Sequence, residues 1–293
     1  MNYIDAATLP LRNTGQIRLH GSEGFEGMRR AGQLAARCLD MLIRETKPGV
    51  TTQHLNDLTM QFALDHGAYP ATLYYRGYHK VICTSINHVV CHGIPDNKPL
   101  DEGDIVNLDV TLILDGWHGD TSRMVGIGNV SRKAERLMDV THEAMMRGIA
   151  VIRPGARLYD IGKAIQTYAE GERCSVVRDF CGHGIGRLFH DTPNILHYAP
   201  NSKEGMSDTE THLFNLSGIE FREGMIFTVE PMINLGRADV KVLKDGWTAV
   251  TRDRSLSAQF EHTVGVTKDG VEIFTLSPTG LHKPPYNLTR HVL

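Results

Sequence analysis

Cysteine is scarce in this chain of 293 residues, and the spacing of the few cysteines does not suit cross-linking. There are five, an odd number, and no two of them form a Cys-x-x-Cys pair. A framework of disulfides is therefore not indicated, and at least one thiol must remain free. We expect reduced thiols in a cytoplasmic protein. The residues concerned are Cys38, Cys83, Cys91, Cys174 and Cys181.

The sequence also lacks a long apolar run and a strong charge of either sign. No stretch approaches the roughly 18 apolar residues of a membrane span, and residues 1–22 have no apolar core typical of a secretory signal. The net charge is only −3, and the aromatic residues lie among apolar rather than basic ones. These absences disfavour a membrane partner and specific nucleic-acid binding. A hydrophobic content of 41% is ordinary for a globular protein.

An internal repeat is the most informative feature that the sequence does contain. Residues 100–109 (LDEGDIVNLD) and 221–230 (FREGMIFTVE) both lead from a Glu-Gly turn into a short strand. Apolar and polar residues alternate in each strand, so the terminal carboxylates Asp109 and Glu230 lie on corresponding faces. Two related strands that each present an acid predict a paired-carboxylate site at a pseudo-twofold axis.

Further pairs of motifs occur in the same order in both halves of the chain. CHGI at 91–94 corresponds to CGHGI at 181–185, and GDT at 119–121 corresponds to FEHT at 260–263. A Pro-Gly pair also follows the first helical pattern of each half. Because only two copies exist, this order indicates a duplicated domain rather than a solenoid. We predict a short leader over residues 1–24 and one duplicated domain over residues 25–293.

Hydrophobic periodicity predicts the helices of the first half. Apolar residues recur at helical spacing over 25–45, and the following Pro-Gly pair ends that helix. Thr51 or Thr52 can cap a second helix that ends near Gly67. In the second half, Ser131 can cap the corresponding first helix.

The segments between these helices have extended patterns. Residues 69–90 predict strands with a turn at 76–77, and residues 102–125 predict a hairpin that turns at 115–116. Helices on one side and mostly antiparallel strands on the other predict an α+β fold. The polar segment 197–218 has no period, and we interpret it as a surface insertion; a lid or a partner contact is the alternative.

The repeats bring together four carboxylates and one imidazole. Like charges at contact distance oppose one another's ionisation, so four carboxylates need neutralising cations. Structural zinc prefers closed Cys/His sites, and calcium prefers more carbonyl ligands in one loop. Two divalent cations held by shared carboxylates would resolve the repulsion and would activate a water molecule. The candidate ligands are Asp109, Asp120, His183, Glu230 and Glu261.

These residues lie within longer motifs that occur in a fixed order. The motifs are CHGIP at 91–95, NLDV at 107–110, HGDTS at 118–122, GHGIG at 182–186, FH at 189–190, TVEPM at 228–232 and SAQFEHT at 257–263. Together they resemble the type I methionine aminopeptidases of peptidase family M24, over nearly the whole chain from about residue 25 to about residue 275. The resemblance implies the pita-bread (creatinase/aminopeptidase) α+β fold, and it makes residues 25–293 a catalytic domain.

The resemblance also implies roles for the candidate residues. Asp109 would bind one metal, His183 and Glu230 the other, and Asp120 and Glu261 would bridge the two. Glu230 would also act as the acid/base. His92 and His190 would contact the substrate and the tetrahedral intermediate without binding metal. The implied reaction is hydrolysis of the initiator methionine from nascent polypeptides, preferring a small second residue.

The side chain of the substrate methionine is expected in an apolar pocket. By resemblance the pocket residues are Tyr75, Tyr78, Cys83, Phe189 and Trp247, to which His92 and His190 add substrate contacts. Thr72 stands at the pocket rim, where many bacterial members have cysteine. A polarizable, aromatic environment suits a thioether. A monovalent-cation site seen in some relatives corresponds to Asn87, Asn107, Val110 and Ser257.

The implied cofactors are two divalent cations per chain, drawn from Co, Mn, Fe and Zn, and one monovalent cation. Mixed carboxylate and imidazole ligands suit all four metals, so the sequence does not choose between them. The implied partners are nascent peptide N-termini and the ribosome near its exit tunnel, and the implied state is a monomer. The leader and the 198–218 insertion depart from the family pattern and bear on partner contacts and on access to the site.

Three alternatives compete with this interpretation. An X-Pro aminopeptidase or prolidase would share the fold, but those enzymes carry a large additional N-terminal domain. A catalytically inactive pita-bread binding module would typically have lost ligands, whereas all five are present here. A mononuclear metal protein would use His183 with some of the acids and would bind one ion per chain.

Overall fold

A computed structural model describes residues 2–200 and 207–288 of the chain. The described part forms five α-helices, which are α1 Ser22–Glu45, α2 Thr52–Asp65, α3 Arg132–Ala150, α4 Leu158–Gly171 and α5 Asp208–Ser217. The strands are β1 Tyr3–Asp5, β2 Ile17–Leu19, β3 Tyr69–Pro70, β4 Cys83–Ile86, β5 Val89–Cys91, β6 Ile105–Leu114, β7 Trp117–Gly126, β8 Ser175–Val176, β9 Gly182–Gly184, β10 Asp191–Ile195, β11 Ile226–Val229, β12 Met232–Asn234, β13 Val240–Val242, β14 Ala249–Thr251, β15 Ser257–Gln259, β16 His262–Val266 and β17 Val271–Ile273.

Each half of the chain builds one principal sheet. In the first half β6 pairs with β7 along its length and with β4 and β3 on its other edge. In the second half the strand order is β10-β9-β11-β16-β17, and every pairing in that sheet is antiparallel. The two sheets meet where Ser122 of β7 forms an isolated antiparallel bridge with Glu261.

The predicted repeat is present as matched backbone hydrogen bonds. The Gly49 N–H donates to the Leu100 carbonyl at 2.8 Å, and the Gly155 N–H donates to the Phe221 carbonyl at 3.1 Å. Both glycines have φ of +85°, a left-handed conformation that glycine adopts without strain. The turns that begin the two repeated strands match as well, since both of their glycines have φ of +92°. The two halves therefore share one local architecture.

Helices cover one side of each sheet and form a separate core there. In the first half α1 and α2 pack against β4 and β6, and Leu39, Leu42 and Leu108 are fully buried. In the second half α3 and α4 pack with β11 and β16, and Leu137 and Phe227 are fully buried. The inward residues of each strand face these helices, so the opposite strand faces are free to build the site between the halves.

Several predicted elements are confirmed in detail. The Thr51 hydroxyl accepts a hydrogen bond from the His54 N–H at the start of α2, and the Ser131 hydroxyl accepts one from the Ala134 N–H at the start of α3. The hairpin of β6 and β7 turns at Asp115 and Gly116, which both have positive φ, as a type I′ two-residue turn requires.

Two predictions about local structure are wrong. Residues 71–82 are not strand: they form an irregular loop with one 3-10 turn, Tyr75–Gly77, and φ is positive at Tyr74 and Arg76. The polar segment 197–218, which we interpret as a surface insertion, contains helix α5 at Asp208–Ser217. Residues 201–206 of that segment lie outside the described residues. Helix α1 begins at Ser22, three residues before the predicted start.

Residues 2–20 of the predicted leader lie against the body of the protein. Strands β1 and β2 pair in parallel, and the β2 residues Ile17 and Arg18 are buried. The backbone N–H of His20 donates to the carbonyl of Gly224 at 2.8 Å. Within the described residues, no helix is both long enough and apolar enough to cross a membrane. All five cysteines are free thiols.

Candidate metal centre and substrate pocket

A cavity of about 540 Å³ lies between the two halves of the protein. Its walls come from β4 and β6 on one side, from β9 and the end of β11 on the other, and from the irregular loop 71–82. The structure places all of the predicted divalent-metal, catalytic and substrate-pocket residues around this one cavity. These are Asp109, Asp120, His183, Glu230, Glu261, His92, His190, Tyr75, Tyr78, Cys83, Phe189 and Trp247.

Strand register brings the first two acids together. Asp109 pairs with Ser122 across the hairpin, and Asp120 pairs with Thr111. The two acids are therefore diagonal neighbours on the same sheet face, within reach of a shared ligand. Glu230 follows β11 in the second half, at the position that Asp109 occupies in the first repeat.

Reciprocal hydrogen bonds lock the junction between the halves. The Thr121 hydroxyl donates to the carbonyl of Glu261 at 2.8 Å, and the Thr263 hydroxyl donates to the carbonyl of Asp120 at 2.7 Å. Both threonines are fully buried. The backbones that carry Asp120 and Glu261 are thus fixed against each other, and together with His183 each residue offers a ligand atom within 4.8 Å of the other two.

The orientation of His183 suits the binding of a cation at the centre of this group. Its Nδ1 lies 3.1 Å from the carbonyl oxygen of Gly184. A carbonyl can only accept, so Nδ1 carries the proton and Nε2 presents a lone pair. That lone pair faces Asp120 Oδ2 at 3.7 Å and Glu230 Oε1 at 3.6 Å. Burial lowers the pKa of His183 to about 4, so the ring stays neutral, and three electron-rich atoms converge where a metal ion fits.

The charges of the four acids support the same conclusion. Burial raises the pKa of Asp109 to about 7. Burial, followed by the neighbouring carboxylates, raises the pKa of Glu261 well above its usual range, and Asp120 and Glu230 shift in the same direction. Among the described residues, none of the four forms an ion pair with lysine or arginine. Divalent cations are therefore the groups that suit this donor set.

Three supporting residues were not predicted from the sequence. The Thr111 hydroxyl donates to Asp120 Oδ1 at 2.7 Å, and the Thr228 hydroxyl donates to Glu230 Oε1 at 2.7 Å. The Gln259 amide donates to both the carbonyl and the Oε2 of Glu230 at 3.3 Å. A sequence signal existed for Thr228, which shares a strand face with Glu230, and for Gln259, which lies inside the SAQFEHT motif.

A further buried histidine lies behind Glu230. His197 is fully buried, and its Nε2 accepts a hydrogen bond from the backbone N–H of Glu230 at 3.1 Å. Burial lowers the pKa of His197 to about 3, which keeps Nε2 available as an acceptor. No periodicity or motif in the sequence indicates this contact, which joins residues 33 positions apart.

The two histidines assigned to the substrate both line the cavity and lie against aromatic rings. His190 lies against Tyr75 and Phe189, with ring centroids 5.0 and 4.1 Å apart. His92 makes edge contacts with Phe180 at 5.4 Å and Trp247 at 6.0 Å. Burial lowers the pKa of both rings, that of His190 to about 2. Both are therefore neutral groups that can still donate one N–H.

Aromatic residues and a thiol form the apolar part of the cavity. Tyr78 contacts Trp247 at a centroid distance of 5.1 Å, and its hydroxyl reaches the carbonyls of Ile82 and Gly93 at 2.9 and 3.1 Å. The Tyr78 ring is thus held by its polar end while its face remains in the pocket. Cys83 lines the cavity and is buried, and Thr72 lies at its edge.

The four residues of the predicted monovalent-cation site do not all lie next to one another. The Ser257 N–H donates to the carbonyl of Asn87 at 2.9 Å, and the Asn107 amide donates to the carbonyl of Gln259 at 2.8 Å. Val110 lies instead in the core of the first half, paired with Thr121. This cation site stays a prediction.

An α+β fold with an internal pseudo-twofold and a buried carboxylate centre defines a class of metal-dependent peptidases. The chain belongs to metallopeptidase family M24, whose family profile matches residues 26–268. Within this family, the methionine aminopeptidase of Rickettsia prowazekii is 59% identical over 271 residues, which are 92% of this chain and 99% of that protein. The resemblance to the type I methionine aminopeptidases is therefore confirmed.

Solved structures extend the comparison to the fold. The crystal structure of the Rickettsia prowazekii methionine aminopeptidase superposes with a TM-score of 0.83 and covers 89% of this chain and 100% of that one. That of the Thermotoga maritima methionine aminopeptidase, 35% identical, gives a TM-score of 0.81 over 89% and 99% of the two chains. The prolidase of Pyrococcus furiosus, 19% identical, has a TM-score of 0.64 over 88% of this chain and 65% of its own, and shares the fold alone. The predicted pita-bread fold class is confirmed.

Proposed function

We propose that the cavity between the halves is the active centre of a methionine aminopeptidase, which hydrolyses the initiator methionine from polypeptides with a small second residue. The observation that carries the proposal is the neutral His183 Nε2, which faces two carboxylates within a buried group of four acids. The methionine aminopeptidases that match nearly the whole chain support the choice of reaction. An X-Pro enzyme is not favoured, because the likeness to such proteins is limited to the fold.

Five side chains would hold two divalent cations. Asp109 would bind one ion, His183 and Glu230 the other, and Asp120 and Glu261 would bridge them. When bound, such ions polarise a carbonyl group and generate a water-derived nucleophile near neutral pH. The Thr111 hydroxyl holds Asp120 Oδ1, so Asp120 Oδ2 faces the His183 Nε2. Thr228 and Gln259 hold the two oxygens of Glu230, and its Oε1 also faces the His183 Nε2.

Glu230 is suited to carry a proton during the reaction. Its Oε1 lies 3.6 Å from the neutral His183 Nε2, beside the place where a water molecule activated by bound cations would give up its proton. Gln259 and Thr228 fix the orientation of this carboxyl group, so a proton taken from water is held at a defined place. Glu230 would pass that proton to the leaving amine of the second residue.

His92 and His190 would act on the peptide itself. Each ring is neutral and held by aromatic neighbours, so its remaining N–H is a preorganised donor. A donor of this kind stabilises the negative charge that develops on the carbonyl oxygen in the transition state. The methionine side chain would lie among Tyr75, Phe189 and Trp247, where sulfur contacts aromatic rings favourably.

The remaining assignments concern the cellular location, the partners and the oligomeric state of the enzyme. We assign a cytoplasmic location, nascent peptide N-termini as substrates and docking near the ribosomal exit tunnel, with a monomer as the working unit. The free thiols support the compartment. Manganese, iron, cobalt and zinc all suit the donor set.

Substrate selection tests the proposal. Wild-type protein, stripped of metal and resupplied with Mn²⁺ or Co²⁺, is given Met-Ala-Ser, Met-Leu-Ser and Ala-Pro-Ser, and the released free amino acid is quantified. We expect methionine from Met-Ala-Ser, much less from Met-Leu-Ser and no alanine from Ala-Pro-Ser. Alanine release would favour an X-Pro enzyme. No release from any peptide, despite bound metal, would favour an inactive binding module.

A further inference from the structure

The leader contributes directly to the wall of the catalytic cavity. Asn13 lines this cavity although it precedes α1 by several residues. Asp191, which follows His190 at the start of β10, also lines the cavity. The loop before β2 therefore forms part of the wall of the cavity that would receive the peptide.

A buried arginine fastens this loop to the catalytic region. The Arg18 Nε donates to Asp191 Oδ2 at 2.6 Å, and Nη2 donates to the carbonyls of Pro10 and Arg12 at 2.8 and 2.9 Å. Arg18 is 9% exposed and Asp191 6%. A buried, charge-assisted contact of this geometry is well ordered. One guanidinium thus fixes both the backbone just before Asn13 and the residue next to His190.

The side chain of Asn13 has a defined orientation at the rim. Its Oδ1 accepts from the backbone N–H of Gly15 at 2.8 Å and from the Thr192 hydroxyl at 3.3 Å. With the oxygen occupied twice, the amide nitrogen is the polar atom left for another molecule. Among the described residues, that Nδ2 has no hydrogen-bond acceptor.

We infer that Asn13 is a specificity-determining residue, which donates from Nδ2 to a backbone carbonyl of the substrate beyond its second residue. An amide N–H that faces a cleft for an extended peptide pairs with a carbonyl because carbonyls are the acceptors that recur along any peptide. Because the contact is to the substrate backbone, it does not depend on the side chains of the substrate. It favours peptides that extend beyond the second residue over shorter ones. The inference rests on the proposed aminopeptidase function.

Matched variants of the full chain, in the metal-loaded enzyme, test this assignment. Asn13→Asp keeps both acceptor contacts and the shape but has no N–H donor, and Asn13→Ala removes the group entirely. Leu11→Ala is the control, because Leu11 is exposed in the same loop and does not line the catalytic cavity. Each protein is assayed with Met-Ala-amide and with Met-Ala-Ser-Ala-amide, and urea unfolding checks that all variants are folded.

The readout is the ratio of kcat/KM for the long peptide to that for the short one. We expect both Asn13 variants to lower this ratio by about threefold to tenfold, the usual effect of one hydrogen bond, through a higher KM for the long peptide. Leu11→Ala should leave it unchanged. Unchanged ratios in both Asn13 variants, or a loss in Asn13→Ala without one in Asn13→Asp, would overturn the donor role while leaving the aminopeptidase assignment intact. A wild type that cleaves neither peptide overturns both.

Discussion

Thr228 links two of the proposed metal ligands through a single hydroxyl group. That hydroxyl donates to Glu230 Oε1 at 2.7 Å and accepts from the backbone N–H of His183 at 3.0 Å. The residue is fully buried, so water does not replace either contact. Thr228→Val keeps the branched shape and removes both hydrogen bonds, whereas Thr228→Ser keeps the hydroxyl and serves as its control.

The magnitude follows from the bond that holds the carboxylate. A hydrogen bond to a charged group contributes about 1.5–3 kcal/mol, and about 1.4 kcal/mol corresponds to a factor of ten in affinity. We therefore predict that Thr228→Val weakens divalent-metal binding by about 10- to 100-fold, the range typical of lost partners of metal ligands. The unpaired His183 N–H should also lower the free energy of unfolding by about 1–3 kcal/mol.

Calorimetric titration of metal-free protein with Mn²⁺ measures the affinity, and the Mn²⁺ concentration for half-maximal methionine release provides an independent value. We expect Thr228→Ser to bind within a few-fold of the wild type. A Thr228→Val protein that binds as tightly as the wild type, or a Thr228→Ser protein as weak as Thr228→Val, would refute the prediction.

Two further predictions concern acid stability and backbone packing. Burial holds the pKa of His20 at about 4 in the folded protein, whereas a histidine in the unfolded chain titrates near 6.5. Below pH 6.5 the unfolded chain therefore binds a proton that the folded protein does not, and the free energy of unfolding at pH 5 is about 2 kcal/mol lower than above pH 6.5. Urea unfolding at pH 7 and pH 5 should therefore show a smaller stability advantage of the wild type over His20→Gln at pH 5, and an equal advantage at both pH values would contradict this. A Cβ on Gly119 would lie 2.1 Å from the carbonyl oxygen of Ala31. We therefore expect Gly119→Ala to lower the free energy of unfolding by about 1–3 kcal/mol or more and to lower the melting temperature measured by thermal unfolding. Gly171→Ala, which meets open space, is the matched control, and an equal melting temperature for the two variants would count against the packing argument.

Features that depend on neighbouring residues could be predicted from the sequence. The periodicity of α1, the Thr51 and Ser131 caps and the Asp115-Gly116 turn are each set within a few residues, and all are present. The repeat extends this local information, because equivalent strands in the two halves must present equivalent faces. The presence of Asp109 and Glu230 around one cavity follows from that equivalence.

Features that depend on distant contacts could not be predicted. Loop 71–82 is rich in aromatic residues, which suggested strands, yet Tyr75 and Tyr78 line the cavity instead of packing in a sheet. The ion pair between Arg18 and Asp191 joins residues 173 positions apart, and no pattern in the leader indicates that Asp191 is the partner of Arg18. The same holds for His197, whose Nε2 accepts a hydrogen bond from the backbone N–H of Glu230, 33 positions away.

The most direct test of the proposed centre combines metal content and methionine release in the wild type and in Glu230→Gln. The wild type should bind two divalent ions per chain and release methionine from Met-Ala-Ser only when metal is present. Glu230→Gln should lose activity by about 100-fold or more at saturating metal, because a carboxamide cannot carry the proton. Release of methionine by metal-free wild type, or a variant as active as the wild type, would contradict the proposed centre.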